Sequence, residues 1–377
     1  MSRPSVALTQ LQITHVRNLQ QVRLQGLQKV NVFFGPNGSG KTSVLESIHL
    51  LGMARSFRGN SVKSLITHSA PSCTVYGLAT SATANLARAT IPMGVQRYRS
   101  GEAQIKIGGR AVRTVAELAS QLPLQVITAD SFGLLTGPPG GRRQFLDWGV
   151  FHVEHQFFGQ WQRFQRCIKQ RNSLLRRGKI SDQELGVWTR DLAQTGETIN
   201  EYRKRYFQIL SPRFKEIMAK LAPSLDKLEL RYQQGWDRQQ SYAQALEQGY
   251  PADSEQGYTH SGPQRADIRV LSGGHLASET LSRGQQKLVV CGLKLAQGQL
   301  LSQQGGGRLN CTYLIDDLPS ELDHEHSSLV CELLASMDAQ VFVTCIAEEE
   351  IRSVWPEASE LTLFHVEQGS IRRHAAS

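Results

Sequence analysis

A chain of 377 residues, 40% apolar and 20% charged, can bury a sizeable core and is too long for one average domain, so two lobes are expected. No run of eighteen apolar residues occurs and residues 1–10 lack the apolar stretch of a secretory signal, so the expected protein is cytoplasmic and has no membrane partner. The net charge of +9 favours a polyanionic partner without deciding for nucleic acid, because basic side chains that neutralise phosphates release condensed counterions.

Alternation of apolar and polar residues over 8–13 and 22–24 predicts a short antiparallel sheet, and Val30, Val32, Phe33 and Phe34 predict a buried strand. That strand runs into Gly35-Pro36-Asn37-Gly38-Ser39-Gly40-Lys41-Thr42, which satisfies G-x-x-x-x-G-K-[ST] in full. Residues 41–53 follow with Val44, Leu45, Ile48 and Leu51 on one helical face. Strand, glycine loop and helix is the order that phosphate binding requires. The glycines let successive backbone N–H groups point inward and the positive helix end adds favourable potential. Lys41 then reaches the outer phosphates, and the Thr42 hydroxyl is placed to ligate Mg2+. A plain glycine turn before a helix is the bland alternative, and the complete motif with both flanks outweighs it. Residues 74–107 alternate again and predict further antiparallel strands. At 136–143 the text TGPPGGRR predicts a break in regular structure and a boundary.

Residues 144–215 carry helical, amphipathic spacing. Trp161, Phe164, Ile168 and Leu175 share one side, and Arg163, Arg166, Lys169, Arg176 and Arg177 the other. Ser181 and Glu184 read as a capping box for a second helix with Leu185, Trp188, Leu192, Ile199, Tyr202 and Tyr206 on a three-four spacing. Roughly 22 residues at about 1.5 Å each give an arm of about 33 Å. Between Arg142 and Lys179 stand nine lysines and arginines against Asp147 and Glu154. A solvated face is the ordinary reading of such a run. The competing reading lays it on the DNA backbone, with Arg142, Arg143, Arg163, Arg166, Lys169 and Arg177 as contacts. Residues 233–263 are polar and glycine-rich, and read as a connection.

Leu281-Ser282-Arg283-Gly284-Gln285-Gln286-Lys287 precedes an apolar helix. Ser282 and Gln285 have capping-box spacing, and Gly284 leaves room for an anion at the helix start, although pattern by itself favours an ordinary capped helix. Tyr313-Leu314-Ile315-Asp316-Asp317 is a short apolar strand ending in two carboxylates. Asp316 is expected beside Thr42 on a hydrated Mg2+, and Asp317 is expected to orient or deprotonate water. The alternative is a strand running into an aspartate helix cap. The cysteines Cys73, Cys167, Cys291, Cys311, Cys331 and Cys345 show no paired spacing, so reduced and mostly buried thiols are expected.

Together the three motifs resemble an ABC-type ATPase head, in which LSRGQ (281–285) is similar to the LSGGQ signature and Ser320-Glu321-Leu322-Asp323 to the D-loop. The resemblance implies an α/β fold: a P-loop parallel sheet plus an antiparallel β subdomain, with an inserted helical arm. It implies boundaries at 1–136, 137–257 and 258–377. It also implies ATP and Mg2+ as cofactors, Lys41 and Asp317 as catalytic residues, Asp323 in the D-loop, and Thr344, after the apolar 341–343, as the candidate γ-phosphate sensor, with Gln125 either a Q-loop residue or a surface glutamine. Ser282, Arg283, Gly284 and Gln285 of one copy would then complete the phosphate site of another, which makes ATP binding the trigger of a homodimer. Within that class FGPNGSGKTSVLESIHLLG (34–52), RSFR (55–58), GGRRQFLDWGVFH (140–152), KQRNSLLR (169–176), LSRGQQKL (281–288) and YLIDDLPSELD (313–323) resemble the RecF family. That likeness implies recombinational repair and replication: ATP-dependent binding of single-stranded, gapped and duplex DNA, weak DNA-dependent ATP hydrolysis used as a switch, and RecA loading with RecO and RecR. The sequence departs from the family pattern at Ile127-Thr128-Ala129-Asp130 and at Gly262-Pro263-Gln264-Arg265-Ala266-Asp267.

Two other functions fit part of the pattern. In a transporter ATPase subunit the P-loop and signature lie closer together, whereas here more than half the chain separates Lys41 from Ser282, and no sensor histidine follows residue 343. A DNA-binding scaffold that holds ATP without useful turnover is kept open by Asp317, one methylene shorter than the Glu of most relatives of this class. A chromosome-organising SMC protein is disfavoured because no heptad run is long enough.

Overall fold

Fifteen strands run in chain order through the computed structural model, which describes residues 7–59, 61–82, 88–177, 182–304, 310–337, 339–357 and 359–374. They are β1 (Ala7–Val16), β2 (Leu19–Gln25), β3 (Val30–Phe34), β4 (Ser72–Ala82), β5 (Arg88–Tyr98), β6 (Ala103–Ile107), β7 (Arg110–Val112) and β8 (Leu124–Ile127), then β9 (Leu228–Gln233), β10 (Asp267–Ser272), β11 (His275–Leu276), β12 (Thr312–Ile315), β13 (Gln340–Cys345), β14 (Leu361–Glu367) and β15 (Ser370–His374). The chain divides into two compact units. One takes it up to Ser131 and again from Lys287 onward, and the other is Phe132–Gln286. Residues 258–286, expected with the second half of the head, therefore group with the helical unit.

In the first unit, period-two alternation becomes a six-stranded antiparallel sheet of order β2-β1-β4-β5-β6-β7. The mostly apolar strands β3, β12 and β13 sit inside a second sheet, β15-β14-β3-β13-β12-β8, parallel except for its edge strand β15. Strands buried on both faces need no alternation. At their centre Phe33 stacks on Phe364 at 5.0 Å. The helix Lys41–Met53 packs against strands of both sheets, so its expected single apolar face is only part of the buried surface. Glu46 and Ser47 on that helix are as inaccessible as Val44 and Leu45. Arg17 neutralises Glu46 through two bonds of 2.9 Å.

The second unit is helical around the small sheet β11-β10-β9. Its first long helix, Pro139–Val153, begins inside the glycine-proline text that was expected to exclude regular structure. Proline at the first helical position loses nothing there, since its missing N–H would be unpaired anyway, and the extended Pro138 ends the preceding segment. The helix Phe157–Arg177 carries the basic face, and Arg163, Arg166, Lys169, Arg176 and Arg177 are all exposed. Next comes Asp182–Leu221, 40 residues long. At about 1.5 Å per residue it spans about 60 Å, nearly twice the expected arm. Its buried stripe continues through Leu210, Phe214, Ile217 and Leu221, so packing carries the helix through Pro212. Ser181, the expected cap, lies outside the described residues.

The polar stretch 233–263 is also more ordered than a connection. It holds the helices Tyr242–Gln248 and Tyr250–Gln256, the first opened by a capping box of Ser241 and Gln244. Gly262, at φ 133°, lies where an added Cβ would meet the hydroxyl of the fully buried Tyr242. All six cysteines are unpaired and buried, as expected. Among the described residues no helix is long and apolar enough to cross a membrane.

Candidate functional site

The P-loop leaves β3 at Phe34 with Gly35, Gly38 and Gly40 at φ 148°, 77° and 120°, values that L side chains rarely adopt. A Cβ on Gly35 would stand 2.1 Å from the Val366 carbonyl oxygen, so the loop must be bare where it passes β14. Two hairpin turns brace it. From the β1–β2 turn, Asn18 Nδ2 donates to the Ser39 carbonyl at 3.1 Å, while Asn18 Oδ1 accepts from Ser43 Oγ at 2.9 Å. From the β14–β15 turn, Gly369 N–H donates to the same Ser39 carbonyl at 2.8 Å. Lys41 is buried, and its ammonium folds over the loop onto the carbonyls of Gly35 at 2.7 Å and Pro36 at 3.1 Å.

Parallel register then brings the acidic segment alongside. Ile315 of β12 pairs with Val343 of β13, and Thr344 with Phe33 of β3, so the three strands end together, at the carboxyl edge where open α/β sheets place ligands. Thr42 Oγ1 lies 2.9 and 3.1 Å from the two Asp316 carboxylate oxygens. Thr344 Oγ1 donates to Asp316 Oδ1 at 2.8 Å and accepts from the Asp317 N–H at 2.9 Å. Burial pushes the Asp316 carboxyl above its ordinary pKa, and the hydroxyls of Thr344 and Thr42 pull it back.

Asp317 has a left-handed backbone, φ 55°, and its carboxylate Oδ1 is buried without a hydrogen-bond partner. It occupies the cap position of the turn Leu318–Glu321, yet its side chain makes no capping bond. The bland alternative of a helix-capping aspartate is therefore not what the side chain does. An ionisable pair held on hydroxyls, with coordination left open, suits a hard cation that keeps waters and takes its remaining ligands from phosphate. Among the described residues no cluster of three or more His, Cys, Asp or Glu could hold a metal without such help.

The remaining expected residues divide. Ser282 and Gln285 form the capping box, with Ser282 N–H to Gln285 Oε1 at 3.0 Å and Gln285 N–H to Ser282 Oγ at 3.3 Å, at the start of the helix Arg283–Gln304. Arg283 is exposed, and nothing lies within 4 Å of where a Gly284 side chain would begin. Further along the same helix, Lys287 pairs with Glu321 at 2.9 Å. Asp323 caps the helix His324–Ser336 by accepting from His326 N–H at 2.9 Å, so it has a structural job whatever else it does. Gln125 is neither surface nor free. It is buried in β8 and donates to Gln297 at 3.0 Å.

The expected DNA contacts also sort themselves. Arg142 grips Asp267 through two bonds of 2.7 and 3.0 Å and donates to the Gly137 carbonyl, so its guanidinium is taken, and Arg143 donates to the Ala266 carbonyl. Arg163 makes an exposed pair with Asp191. Arg166, Lys169 and Arg177 are exposed, and no ion pair is seen for them among the described residues. Sequence reasoning missed Asn18, whose only signal is its place in a tight turn.

A model of the RecF/RecN/SMC N-terminal domain family matches residues 7–372. The DNA replication and repair protein RecF of Azotobacter vinelandii is 48% identical over 97% of this chain and 98% of its own length. The chain belongs to the RecF family. RecF of Pseudomonas aeruginosa is 46% identical, with 97% of each chain covered. Among solved structures, the recombination mediator protein RecF-ATP in the RecFOR pathway superposes with a TM-score of 0.85 over 99% of each chain at 23% identity. An Smc head bound to the C-winged helix domain of ScpA gives 0.58 at 15% identity over 98% of each chain. Those two likenesses speak for the fold, and they agree with the ABC-type head expected from the motifs.

Proposed function

We propose that the chain is a cytoplasmic ATPase of recombinational repair and replication that uses ATP to control its grip on DNA. The nucleotide lies on residues 35–42 with its outer phosphates toward Lys41, whose ammonium exchanges the carbonyls of Gly35 and Pro36 for phosphate oxygens. Thr42 and Asp316 hold Mg2+, which when bound supplies positive charge against the phosphate oxygens. Asp317 orients the attacking water through its open carboxylate oxygen, and Thr344 fixes both carboxylate residues from below. Ser282, Arg283, Gly284 and Gln285 of a second copy close the phosphate site, with Asp323 nearby in the D-loop, so ATP binding makes the homodimer. Exposed arginines and Lys169 of the helix Phe157–Arg177 hold single-stranded, gapped or duplex DNA by its backbone, and RecO and RecR act with the protein in loading RecA.

The observation that carries this reading is the hydrogen-bonded run from Thr42 through Asp316 and Thr344 to Asp317, beside a complete P-loop, in a family of DNA replication and repair proteins. The solved RecF-ATP complex supports ATP as the nucleotide. The short stem of Asp317 makes turnover slow and keeps the non-hydrolysing scaffold as the second reading. Sedimentation with ATP, with ADP and without nucleotide tests the switch: a dimer is expected with ATP only, and equal association in all three states sinks it. DNA-stimulated phosphate release by the wild type and not by Lys41→Arg excludes the scaffold.

A further inference from the structure

Contacts to phosphates hold any nucleic acid and cannot tell a continuous duplex from a strand with unpaired bases, whereas an exposed aromatic ring can, because only an unpaired base offers its face. The helical unit presents such a ring. Tyr258 is 37% exposed, one of the few large apolar side chains so placed among the described residues. It is not loose. Its hydroxyl donates to Gln256 Oε1 at 3.0 Å, and its ring lies 4.1 Å, centroid to centroid, from that of His260.

His260 is itself pinned, with Nδ1 2.7 Å from Asp253 Oδ1, Nε2 2.8 Å from Gln256 Oε1, and its backbone N–H donating to Asp253 at 2.9 Å. Asp253 in turn is anchored by the fully buried Arg171 at 2.7 Å. The ring therefore rests on a foundation reaching down to a buried ion pair, and little ordering remains to oppose binding.

Its surroundings are basic. Residues 257–259 run against the last turns of the helix Phe157–Arg177: Thr259 N–H donates to Asn172 Oδ1 at 2.9 Å, and a Cβ on Gly257, at φ +74°, would stand 2.8 Å from Arg176 Cγ. Glycine there lets the backbone just before Tyr258 pass close beside Arg176, the neighbour of Arg177. The Arg265 guanidinium carbon lies 5.9 Å from the Tyr258 ring centroid. A pinned, part-exposed aromatic with one arginine over its ring and a basic helix end beside the preceding residue is the combination that single strands require.

We propose that Tyr258, seated on His260, is a stacking shelf for an unpaired DNA base, through which the protein prefers single-stranded or gapped DNA over continuous duplex. This rests on the DNA-binding reading above. The test uses the full chain with ATP and Mg2+, measuring the affinity of the wild type, Tyr258→Ala and Tyr258→Trp for an oligothymidylate and for a blunt duplex across a salt series. Tyr258→Ala is expected to weaken oligothymidylate binding about tenfold and duplex binding less than twofold, with the salt slope unchanged because no phosphate contact is lost. Tyr258→Trp, which keeps a stacking face, retains wild-type affinity for both. Equal weakening on both DNAs, or no weakening on either, overturns the shelf while leaving the ATP-dependent grip intact. A wild type that binds neither DNA in any nucleotide state overturns the DNA-binding reading itself, and is recognised by that.

Discussion

Both units hold carboxylates away from solvent, and the head pairs one of them, Glu46 with Arg17, as the helical unit does, but among the described residues it leaves the two beside its P-loop without an ion pair. In the helical unit Asp253, Asp147 and Asp267 each meet an arginine, respectively Arg171, Arg203 and Arg142, at 2.7 to 2.8 Å. Backbone and hydroxyl groups complete these partnerships, for example Thr259 on Arg171 and the Pro263 carbonyl on Arg203. In the head, Asp316 meets only hydroxyls and Asp317 keeps one oxygen buried and unpartnered. Saturated charge holds a fold together, and open charge waits for a ligand. Function is thus marked less by the residue type than by the valence left over.

The strongest way to break that contrast is to unpair a saturated charge. Arg171→Met leaves Asp253 buried with one carboxylate oxygen abandoned, and removing one partner of a buried pair costs about 3–5 kcal/mol. Urea unfolding should show that loss, while nucleotide binding by the surviving fold stays as in the wild type. A loss under about 1 kcal/mol would mean that His260 and water replace the arginine, and that the pair is not saturated.

In the head the same kind of change should act on chemistry instead. Asp316→Asn keeps the shape and removes a charge that burial already opposes, so stability without nucleotide should hold or rise. Phosphate release should fall about a hundredfold or more, the scale for losing a group that organises proton transfer and charge in the transition state. An Asp316→Asn protein that unfolds as readily as Arg171→Met, yet hydrolyses ATP at the wild-type rate, would invert the assignment of the two units.

How much of this was legible beforehand follows from what each pattern encodes. Residues 35–42 and 313–317 could be read because phosphate and metal chemistry fixes residue type at short spacing, and the β3 and β12 runs show their burial in mostly apolar text. Asn18 could not be read, since its partner Ser39 reaches it through a fold and not through a spacing. The basic run misled in part for the same reason. Arg142 and Arg171 look like Arg166 and Arg177 in the sequence, but their carboxylate partners lie over eighty residues away, at Asp267 and Asp253. The arm was read too short because its three-four spacing was followed only as far as Tyr206, whereas the buried stripe carries the helix through Pro212 to Leu221.

The smallest effect concerns histidines, of which each unit buries one. In the head His49 holds the Arg55 carbonyl at 2.7 Å, and burial pushes its pKa down to about 4. In the helical unit His152 lies against Trp148 and Phe151 with Nε2 unpartnered, and burial pushes its pKa down to about 3. Unfolded histidine titrates near about 6.5, so below that pH the unfolded chain binds protons that the folded one refuses. Stability is therefore full above about pH 6.5 and declines as pH falls toward the two folded values. Between pH 6 and pH 5 each histidine should remove about 1 kcal/mol. Urea titrations at those two pH values read the slope, and His152→Phe should flatten only the part belonging to the helical unit. If the variant's slope equals that of the wild type, His152 is already charged in the fold, and its apolar seat must admit water or a counter-charge. Because Asp317 and His152 both leave a buried atom unpartnered, the pair also separates two kinds of open valence: the carboxylate oxygen lies beside a phosphate-binding loop, whereas the imidazole sits among aromatic rings and refuses its proton.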